Sequence, residues 1–579
     1  MISTLRARVR DFSIESLIGA LAGATAIAHI PSRFAPGTFD RNAAPQFMLL
    51  VLTAVFSGVF LFSKKVVALP VTVVTAISAL LIATSISLLM SDSLFMSLIG
   101  DTGRFSGMVS LWSLLVIAIA FSQFTYAGFL KASFGATAGI VLVTFLGFFQ
   151  SFGFISLPTG GGAGSTLGNL DFLSAWIGTT IALVYLAFKS LGYKVWVFIG
   201  YALISVLTLW KIGAKQGPFD LALIVGLILL FHLAQRAGLL RLSARALKII
   251  ATFALLLWSE AIYLIPMAKV KVPGISGDVN VDIRSDFWFS AGQMFLNHFS
   301  FGVGPDSFGS YYEKYRSLNS VRNTESVITN DAHSSMMQTF ATLGFFATMA
   351  FLVLTLLTIY SLINLILRED RNKYSLLLIS FVAFYTNSLI SPMTLPNKLI
   401  FWAIAGFAIG QDLRTREFSA RGTLKFPVRT LSVVAALAIA IPAALFANSF
   451  FTLNSALSKI GKSEPVSYKV STFLPCIIYT GAQLGAVSAS GGNPIEATRE
   501  ILESNPRCLD ALGFLANDAI FRKDYAAAKP YIYALLDVAP ARQTVVRLAS
   551  IYAIETKDKE LQSLLSSQGI KLGLIQTQK

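Results

Sequence analysis

Apolar runs that are long enough to cross a lipid bilayer recur along most of this chain. Each run has roughly 18 or more mostly apolar residues, enough for a helix to span a hydrocarbon core about 30 Å thick. Only 13% of the residues are charged, against about 25% in soluble domains, which excludes an ordinary soluble enzyme, a disordered chain and a coiled coil. The sequence predicts an all-α, polytopic membrane protein of about 12 to 14 transmembrane helices. The candidate spans are centred on residues 14–30, 46–62, 66–90, 107–124, 129–150, 172–188, 194–210, 217–234, 249–267, 334–366, 374–391, 398–411 and 429–450.

The distribution of basic residues predicts which side of the membrane each connection faces. Lysine and arginine concentrate in cytoplasmic loops, and with the N-terminus inside, about twenty basic residues fall on the inner side against about six outside. We therefore expect a cytoplasmic N-terminus. A cleaved signal peptide is the alternative for the arginines and the first apolar run. The net charge of +16 follows from this orientation and does not call for a nucleic-acid partner.

The spans divide the chain into four segments. We predict about nine spans over residues 1–267, a large outer loop over 268–332, about four spans over 333–451 and a soluble tail over 452–579. An odd number of spans places the tail on the outer side. One span more or fewer would move the tail to the inner side.

The tail contains one internal repeat. Asn505-Pro506 and Ala539-Pro540 stand 34 residues apart and enclose an alanine-rich stretch with helical periodicity. This period, with small residues and a terminal proline, is typical of tetratricopeptide repeats, whose stacked helix pairs present a concave binding face. We therefore predict a small helical-repeat domain that recruits a protein partner. A plain helical hairpin is the alternative.

The two cysteines of the chain both belong to the tail. Cys476 and Cys508 are able to form a disulfide if the tail faces an oxidising compartment. Two separate buried thiols are the alternative.

Nucleotide and metal motifs do not occur in the sequence. There is no Walker A pattern and no dinucleotide fingerprint after a strand, and the Gly-x-Gly of GVGPDSFG is a weak signal alone. Neither HExxH nor a paired CxxC is present. We therefore expect no cofactor and no metal site.

One histidine has a position that suggests chemistry. His333 follows TNDA immediately before a long apolar helix. A helix N-terminus presents free N–H groups and a positive dipole end, which suit anions and keep a nearby imidazole neutral near pH 7. His333 is therefore a candidate to accept a proton. In the alternative, Asn330 or Asp331 caps the helix and His333 is merely exposed.

Some basic residues on the outer side are candidates for holding an anion. Arg284 precedes an amphipathic stretch that is expected to lie along the membrane surface. Arg104 is at the outer end of the fourth span, and Lys211 and Lys215 are at the outer junction of the seventh and eighth. Snorkelling is the alternative for each one alone, but together they favour a diphosphate, since cations in the membrane region are costly unless paired. Further candidates for binding the diphosphate or glycan, in the outer loop, are Arg316 and Arg322.

Four segments occur in an order that is typical of one family. LIGDTGRFSGMVSLW is similar to a Gly-x-x-x-Arg-x-x-Gly segment, and STLGNLDFLSAWIG to a GTxGNPNFLAAYL pattern. IRSDFWFSAGQMFLNHFSFGVGPDSFGSYYEKY is similar to an Arg-x3-Trp segment leading into Gly-x-Gly-x3-Phe, and DAHSSMMQTFATLGFFA to AHNxxLxxxxExGxxG. Over roughly residues 60–410 the chain therefore resembles the O-antigen ligase and polymerase family, in its branch with C-terminal tetratricopeptide repeats.

The sequence departs from this family pattern at several positions. Leu170 stands where proline is usual, and Ser334 and Thr342 replace an asparagine and an acidic residue. Gln216 stands where the family usually has the arginine of Ser-Arg-Gly. A nearby lysine could supply the charge, but lysine lacks the bidentate fork of a guanidinium. An inactive family member is therefore the alternative to a working enzyme.

The resemblance implies a metal-independent membrane glycosyltransferase of the bacterial inner membrane. Such enzymes take a glycan from an undecaprenyl-diphosphate carrier at the periplasmic face and pass it to a hydroxyl of lipid A core, of a growing glycan or of a protein. On this interpretation His333 deprotonates the acceptor or holds the diphosphate, and Arg284 neutralises the leaving group together with Arg104 and Lys215.

Two functions of other classes stay open. A polysaccharide transporter or flippase would typically have ionisable groups at mid-membrane and inverted repeats, and neither is clear in this sequence. A non-catalytic assembly scaffold would rest on the tail and on a decayed active site.

Overall fold

The computed structural model describes residues 14–27, 43–62, 66–101, 105–157, 164–267, 279–324, 327–416 and 423–572. Within these ranges the chain forms 23 α-helices and one sheet of two strands. The helices before the large loop are α1 (Ile14–Ile27), α2 (Ala43–Phe62), α3 (Val71–Leu89), α4 (Leu94–Ile99), α5 (Met108–Phe121), α6 (Tyr126–Ser151), α7 (Leu170–Ser190), α8 (Val195–Ile212), α9 (Gln216–Arg236) and α10 (Ala244–Met267).

The second half of the chain is also helical. The large loop contains α11 (Val279–Asn297), α12 (Phe308–Tyr315) and α13 (Leu318–Thr324). Four long helices follow, namely α14 (Ser335–Arg368), α15 (Arg371–Ile390), α16 (Leu395–Thr415) and α17 (Val428–Gly461). The tail consists of α18 (Cys476–Ala489), α19 (Pro494–Ser504), α20 (Leu509–Phe521), α21 (Tyr525–Val538), α22 (Gln543–Glu555) and α23 (Lys559–Leu572).

Nine helices of the described ranges are long and apolar enough to cross a membrane. Helices suit this environment because each satisfies its own backbone hydrogen bonds where no water is available. The prediction of an all-α, polytopic membrane protein is therefore confirmed. The nine are α3, α6, α7, α8, α9, α10, α14, α15 and α17. The four other predicted spans coincide with α1, α2, α5 and α16.

One predicted span begins with a strand. The sequence predicts a helix over 66–90, but β1 (Val66–Pro70) pairs antiparallel with β2 (Thr423–Pro427), and α3 starts only at Val71. Each strand ends in a proline that leads directly into a helix, and proline has no N–H to continue a ladder. The start of that predicted span is therefore wrong. The sheet marks one end of the helical bundle, which we call the strand end; the opposite end, with α11 to α13, is the loop end.

Helix α14 is broken near the loop end, and the large loop packs into the break. Gly344 has a φ of 74° and a ψ of −170° inside the helix. The N–H of Val303 donates to Ala341 O at 3.0 Å, and the N–H of Gly304 donates to Thr342 O at 3.0 Å. Loop N–H groups thus satisfy carbonyls that the break leaves without helical partners, which fixes the loop on α14.

The tail is built from helical hairpins that repeat the same turn. Their first helices, α18, α20 and α22, begin at residues 476, 509 and 543. Gly491, Lys523 and Lys557 occupy equivalent turn positions, each with a positive φ between 56° and 75°. In each turn the next residue donates its N–H to the carbonyl five residues before it, which is the helix-ending bond of a Schellman motif.

The tail packs against the loop end of the bundle. Arg507 lies 4.1 Å from the ring centroid of Tyr311 and donates from Nε to Ser310 O at 3.2 Å. Asp537 of α21 accepts from Lys314 Nζ at 2.6 Å and from Arg507 at 3.1 Å. The tail and the large loop are therefore at the same end of the bundle. The sequence alone did not decide this, because one span more or fewer would move the tail to the other side of the membrane.

A disulfide joins Cys476, the first residue of α18, to Cys508, which directly precedes α20. Of the two alternatives for the cysteines, the structure has the bridge. The two residues are 32 positions apart, and a cross-link closing a loop of that length stabilises a domain by about 3–4 kcal/mol on a chain-entropy basis. We expect the double variant Cys476→Ala/Cys508→Ala to unfold at a lower temperature in a thermal melt.

The wild-type chain treated with a reductant is the control, and it should melt like the double variant. Alkylation without reductant should leave the mass of the wild-type chain unchanged. Uptake of two alkyl groups under that condition would contradict the bridge.

Candidate functional site

His333 lies at the loop end, just before α14. Its backbone has a φ of 52°, a conformation that is uncommon for residues other than glycine. The N–H of His333 donates to Asp331 Oδ1 at 2.6 Å, and the imidazole centroid is 5.2 Å from the ring centroid of Phe287 on α11. The side chain is partly exposed. A backbone bond on one side and a ring contact on the other thus hold His333 in place.

The residue that caps α14 is Ser334. Its hydroxyl accepts the N–H of Met337 at 3.2 Å and lies 2.8 Å from the hydroxyl of Tyr263. The alternative in which Asn330 or Asp331 caps the helix is wrong, because the helix starts later and the Asp331 carboxylate binds the chain two residues on. His333 is therefore the residue before the cap, close to the positive end of the helix.

Arg284 is brought to the same region by α11. Its guanidinium lies 3.5 Å from Asp171 Oδ2, and 18% of its side chain is exposed. Asp171 is in the first turn of α7, where a carboxylate is favoured by the helix dipole. Residues three apart share a helix face, so Arg284 and Phe287 are neighbours on α11, and Phe287 contacts His333. Three of the four family-like segments therefore meet here.

The turn between α8 and α9 packs beside α7. The N–H of Gly217 donates to Ser174 Oγ on α7 at 2.7 Å. Lys211 in the last turn of α8 and Lys215 at the start of α9 are both exposed. Gln216 is only 6% exposed, and its amide oxygen and nitrogen have no hydrogen-bond partner among the residues that the structure describes. The two lysines and the N-terminus of α9 therefore lie near α7, whose Asp171 pairs with Arg284.

The other predicted cations have different surroundings. The Arg316 side chain is 1% exposed, lies 3.4 Å from Glu313 Oε1 and donates to Ser320 O at 3.3 Å. Arg316 thus joins α12 to α13 inside the protein. Arg322 is exposed on α13. Arg104 lies outside the described residues. Their roles in binding stay predictions.

Asp306, which the sequence did not single out, joins two of the family-like segments. Its Oδ2 accepts the N–H of Asp101 at 2.8 Å and that of Ser106 at 3.0 Å. A Cβ on Gly100 would lie 2.6 Å from this oxygen, so the segment wraps closely around the carboxylate. Lys398 of α16 donates to Ser106 Oγ at 2.6 Å. Asp306 therefore fixes Asp101 and Ser106 against the large loop.

The surroundings of Asp306 change its protonation. Burial raises the pKa of Asp306 to about 7, and the nearby carboxylate of Asp101 is the next cause that raises it. Lys398 and the N–H of Asp101 act in the opposite direction, and Asp331 adds to the rise. Near neutral pH Asp306 is thus able to gain or lose a proton, a property that is common at functional sites.

A cavity of about 140 Å³ lies beside these groups. Its polar lining includes Asp306, Asp331, Lys398 and Gln338. A cavity of about 10–15 Å³ already holds one water molecule, so this cavity has room for a larger ligand. Since Asp331 also accepts the N–H of His333, the cavity adjoins His333, which also contacts α11 through Phe287.

An apolar cavity of about 30 Å³ adjoins the polar one. The two share Phe351, Phe401 and Trp402 in their linings. The apolar cavity extends from Ile77 and Val73 of α3 to Leu69 of β1 at the strand end. A polar chamber at the loop end therefore continues as an apolar cleft between the helices.

Part of the chain that includes the large loop matches a known protein family. Residues 219–352 match the family described as O-Antigen ligase. This segment is similar to an O-antigen ligase domain. The matched segment begins in α9, contains Arg284, Asp306 and His333, and ends in α14 after the break at Gly344. No curated protein matches the chain. The match supports a membrane glycan enzyme with a glycosyltransferase type of activity in general, and it implies a lipid-linked glycan and an acceptor as substrates.

Sequence reasoning missed the residues that depend on distant contacts. Asp306 and Gln338 belong to the segments compared with the family, but the sequence assigned them no role, and Lys398 was not a candidate. The position of Asp306 directly after Gly-x-Gly-Pro was the only local signal available for it.

Proposed function

We propose that this protein moves a glycan from an undecaprenyl-diphosphate carrier to an acceptor hydroxyl at the periplasmic face of the bacterial inner membrane, without a metal ion. One observation carries the proposal. Family-like segments that are far apart in the sequence meet at the loop end, where Arg284 is paired with Asp171 and the ring of Phe287 contacts His333. At the same end, the N–H groups of Asp101 and Ser106 donate hydrogen bonds to Asp306, which joins two of the family-like segments.

The cationic part of this region suits the diphosphate. Arg284, Lys211 and Lys215 lie near the N-termini of α7 and α9, and helix N-termini with nearby cations favour phosphate groups. As the acceptor oxygen attacks the anomeric carbon, the bond to the diphosphate breaks and its electron pair leaves on the diphosphate oxygen. Cations fixed beside that oxygen stabilise the developing charge.

His333 takes the proton in this proposal. The imidazole lies at the positive end of α14, and in its neutral form it accepts the proton that the acceptor hydroxyl releases. In a variant of the mechanism, His333 holds the diphosphate and another group is the base. The buried Gln216 amide replaces a cation of the family pattern, so the remaining cations carry the neutralisation.

The side of the membrane is proposed from two independent features. Basic residues favour a cytoplasmic strand end. The Cys476–Cys508 disulfide belongs to the tail, which packs on the loop end, and disulfides persist in the periplasm and not in the cytosol. Both features support a periplasmic loop end and tail.

We further propose that the tail is a tetratricopeptide-like domain. Hairpins whose first helices begin 33 and 34 residues apart, with equivalent turns, fit the period of such repeats. Their stacked helices would offer a surface to a protein partner. Loss of all transfer on deleting residues 455–579 would favour a scaffold role, whereas residual transfer fits an enzyme.

Reconstitution of the purified protein tests the proposed reaction. The protein in lipid nanodiscs is mixed with an undecaprenyl-diphosphate glycan and, in separate reactions, with lipid A core, an oligosaccharide and a protein acceptor. Mass spectrometry should find the glycan on one of these acceptors, which also separates ligase from polymerase and protein glycosyltransferase. Saturable uptake of the glycan into proteoliposomes without any transferred product would instead favour a transporter.

A further inference from the structure

A group of cations lies at the strand end, where the chain passes from α9 to α10. Its members are Arg236, Arg241, Arg245 and Lys248, and no acidic residue occurs over residues 221–259. The three arginines are exposed and Lys248 is half-buried. None of the four forms an ion pair with another residue in the part of the chain that the structure describes. The connection therefore presents a concentrated positive charge.

Other cations at the strand end are held by the protein itself. Arg414 donates from Nη1 to Ser122 O at 2.8 Å, and Lys373 Nζ lies 3.0 Å from Asp370 Oδ2. The orientation of the chain in the membrane explains why cations are at this end. It gives no reason for four of them to gather beside one helix without carboxylates.

Lys248 connects this group to cations of two further helices. Its Nζ lies 5.6 Å from the ring centroid of Tyr360 on α14. The charges of Arg368, the last residue of α14, and of Arg416, directly after α16, act on Lys248, as does the carboxylate of Asp412. Three cations and one carboxylate thus meet between α10, α14 and α16.

The carboxylate of Asp412 is committed to other groups. Its Oδ1 accepts from Arg416 Nε at 3.1 Å, and its Oδ2 accepts from Asn364 Nδ2 at 2.8 Å. Asp412 is only 2% exposed, so its oxygens are directed at these two partners and not at Lys248 or Arg368. Cations in the membrane region are costly unless they are paired. The surroundings of Lys248 therefore favour an anion that comes from outside the protein.

An exposed apolar stripe leads from these cations towards the middle of α10. Arg245, Ile249, Phe253 and Leu257 are four residues apart and share one face of the helix. The three apolar side chains are 49%, 62% and 68% exposed. A phospholipid has the matching form, because its phosphate can meet the cations while an acyl chain lies along the stripe.

We propose that the start of α10 binds an anionic phospholipid through its headgroup phosphate. Basic pockets between transmembrane helices are suited to such headgroups. A zwitterionic phospholipid has the same phosphate but adds a cation, which the surplus positive charge at Arg245, Lys248 and Arg368 repels. The site is at the opposite end of the bundle from His333, so it goes beyond the proposed function and does not depend on it.

Native mass spectrometry tests the binding without requiring transfer. The full chain in detergent is titrated with cardiolipin, phosphatidylglycerol and phosphatidylcholine that carry the same acyl chains. We expect both anionic lipids to bind at least about tenfold more tightly than phosphatidylcholine, and higher ionic strength to reduce this difference. Glycerol 3-phosphate, which has the phosphate without acyl chains, should not displace the bound lipid at the same concentration.

The double variant Arg245→Gln/Lys248→Gln links the binding to this site. Each cation near an anionic headgroup strengthens binding roughly fivefold, so the loss of two should weaken binding of the anionic lipids about thirtyfold. Binding of phosphatidylcholine should not change. Thermal melts show whether the double variant is folded. If it is not, Arg245→Gln decides, since Arg245 is exposed, with an expected loss of roughly fivefold.

The matched control is Lys194→Gln. Lys194 is an exposed cation at the strand end of α8, another helix with an apolar exposed face, and its replacement should leave lipid binding unchanged. A loss equal to that of the double variant would overturn the proposal, because binding would then follow the total charge of the protein and not this site.

Three further results would overturn the proposal. They are binding of phosphatidylcholine as tight as that of the anionic lipids, displacement of the lipid by glycerol 3-phosphate, and wild-type affinity in the folded variant. Binding as expected in a protein that transfers no glycan would leave the lipid site standing and overturn the proposed reaction alone.

Discussion

Replacing His333 with alanine is expected to lower glycan transfer by about 10²–10⁴-fold, the range that a general base supplies. The imidazole is held by the Asp331 contact to its backbone and by Phe287 against its ring, so its removal deletes a positioned proton acceptor. The measurement is the initial rate of product formation by purified protein in nanodiscs at saturating donor. The amount of inserted protein should not change.

His298→Ala is the matched control for this variant. His298 also belongs to the large loop, but its Nε2 lies 3.2 Å from the Tyr315 hydroxyl, among residues that pack α11 on α12. We expect near wild-type transfer from it. Equal rates for His333→Ala and the wild type would remove His333 from the chemistry.

Replacing Gly302 with alanine is expected to damage the site through the backbone. A Cβ there would lie 2.3 Å from the carbonyl carbon of Thr342 and 2.5 Å from the N of Leu343, and the φ of 68° is unfavourable for alanine. Overpacking of this kind costs about 1–3 kcal/mol, and the left-handed backbone about 1–2 kcal/mol more. The loop would move off α14, and misplaced groups lower the rate by about a hundredfold per ångström of error.

The matched control is Gly292→Ala. Gly292 lies on α11 with no atom within 4 Å of an added Cβ, and alanine favours a helix. We expect Gly302→Ala to melt at a lower temperature and to transfer poorly, and Gly292→Ala to match the wild type or melt slightly higher. Equal behaviour of the two variants would show that the contact between the large loop and α14 does not govern the site.

The sequence was sufficient for the helical fold because each span satisfies its own backbone bonds. Hydropathy over a window therefore locates α3, α7 or α14 without any knowledge of their neighbours. The pairing of β1 with β2 could not be found in this way, because Val66 and its partner Pro427 are far apart in the chain. Strand pairing depends on the partner, and a short apolar strand beside a span has the same composition as the span.

The site was predictable only where one segment carried its own signal. His333 stood out because a polar turn precedes a long apolar helix, and Arg284 because a cation is rare in that stretch. Asp306 gains its role from Asp101, 205 positions away, and from Lys398 on α16. A contact between residues so far apart in the chain leaves no local sequence pattern. The cavity and the acidic residues that line it are therefore found only in the folded structure.

The prediction for the helix cap shows the same limit at short range. Asn330, Asp331 and Ser334 are all good caps by composition. The choice falls on Ser334 because its hydroxyl also meets Tyr263 of α10, a contact between two spans. Tertiary packing therefore decided among residues that propensity could not separate.

The release of the carrier lipid tests the central claim most directly. The purified chain in nanodiscs is incubated with an undecaprenyl-diphosphate glycan and an oligosaccharide acceptor, with EDTA present to remove metal ions. Chromatography then measures undecaprenyl diphosphate and the extended acceptor over the same time course. We predict that one molecule of carrier is released for each glycan transferred, and that both amounts fall together in His333→Ala. Carrier release that is independent of the acceptor, or no release at all, would contradict a transferase at the loop end.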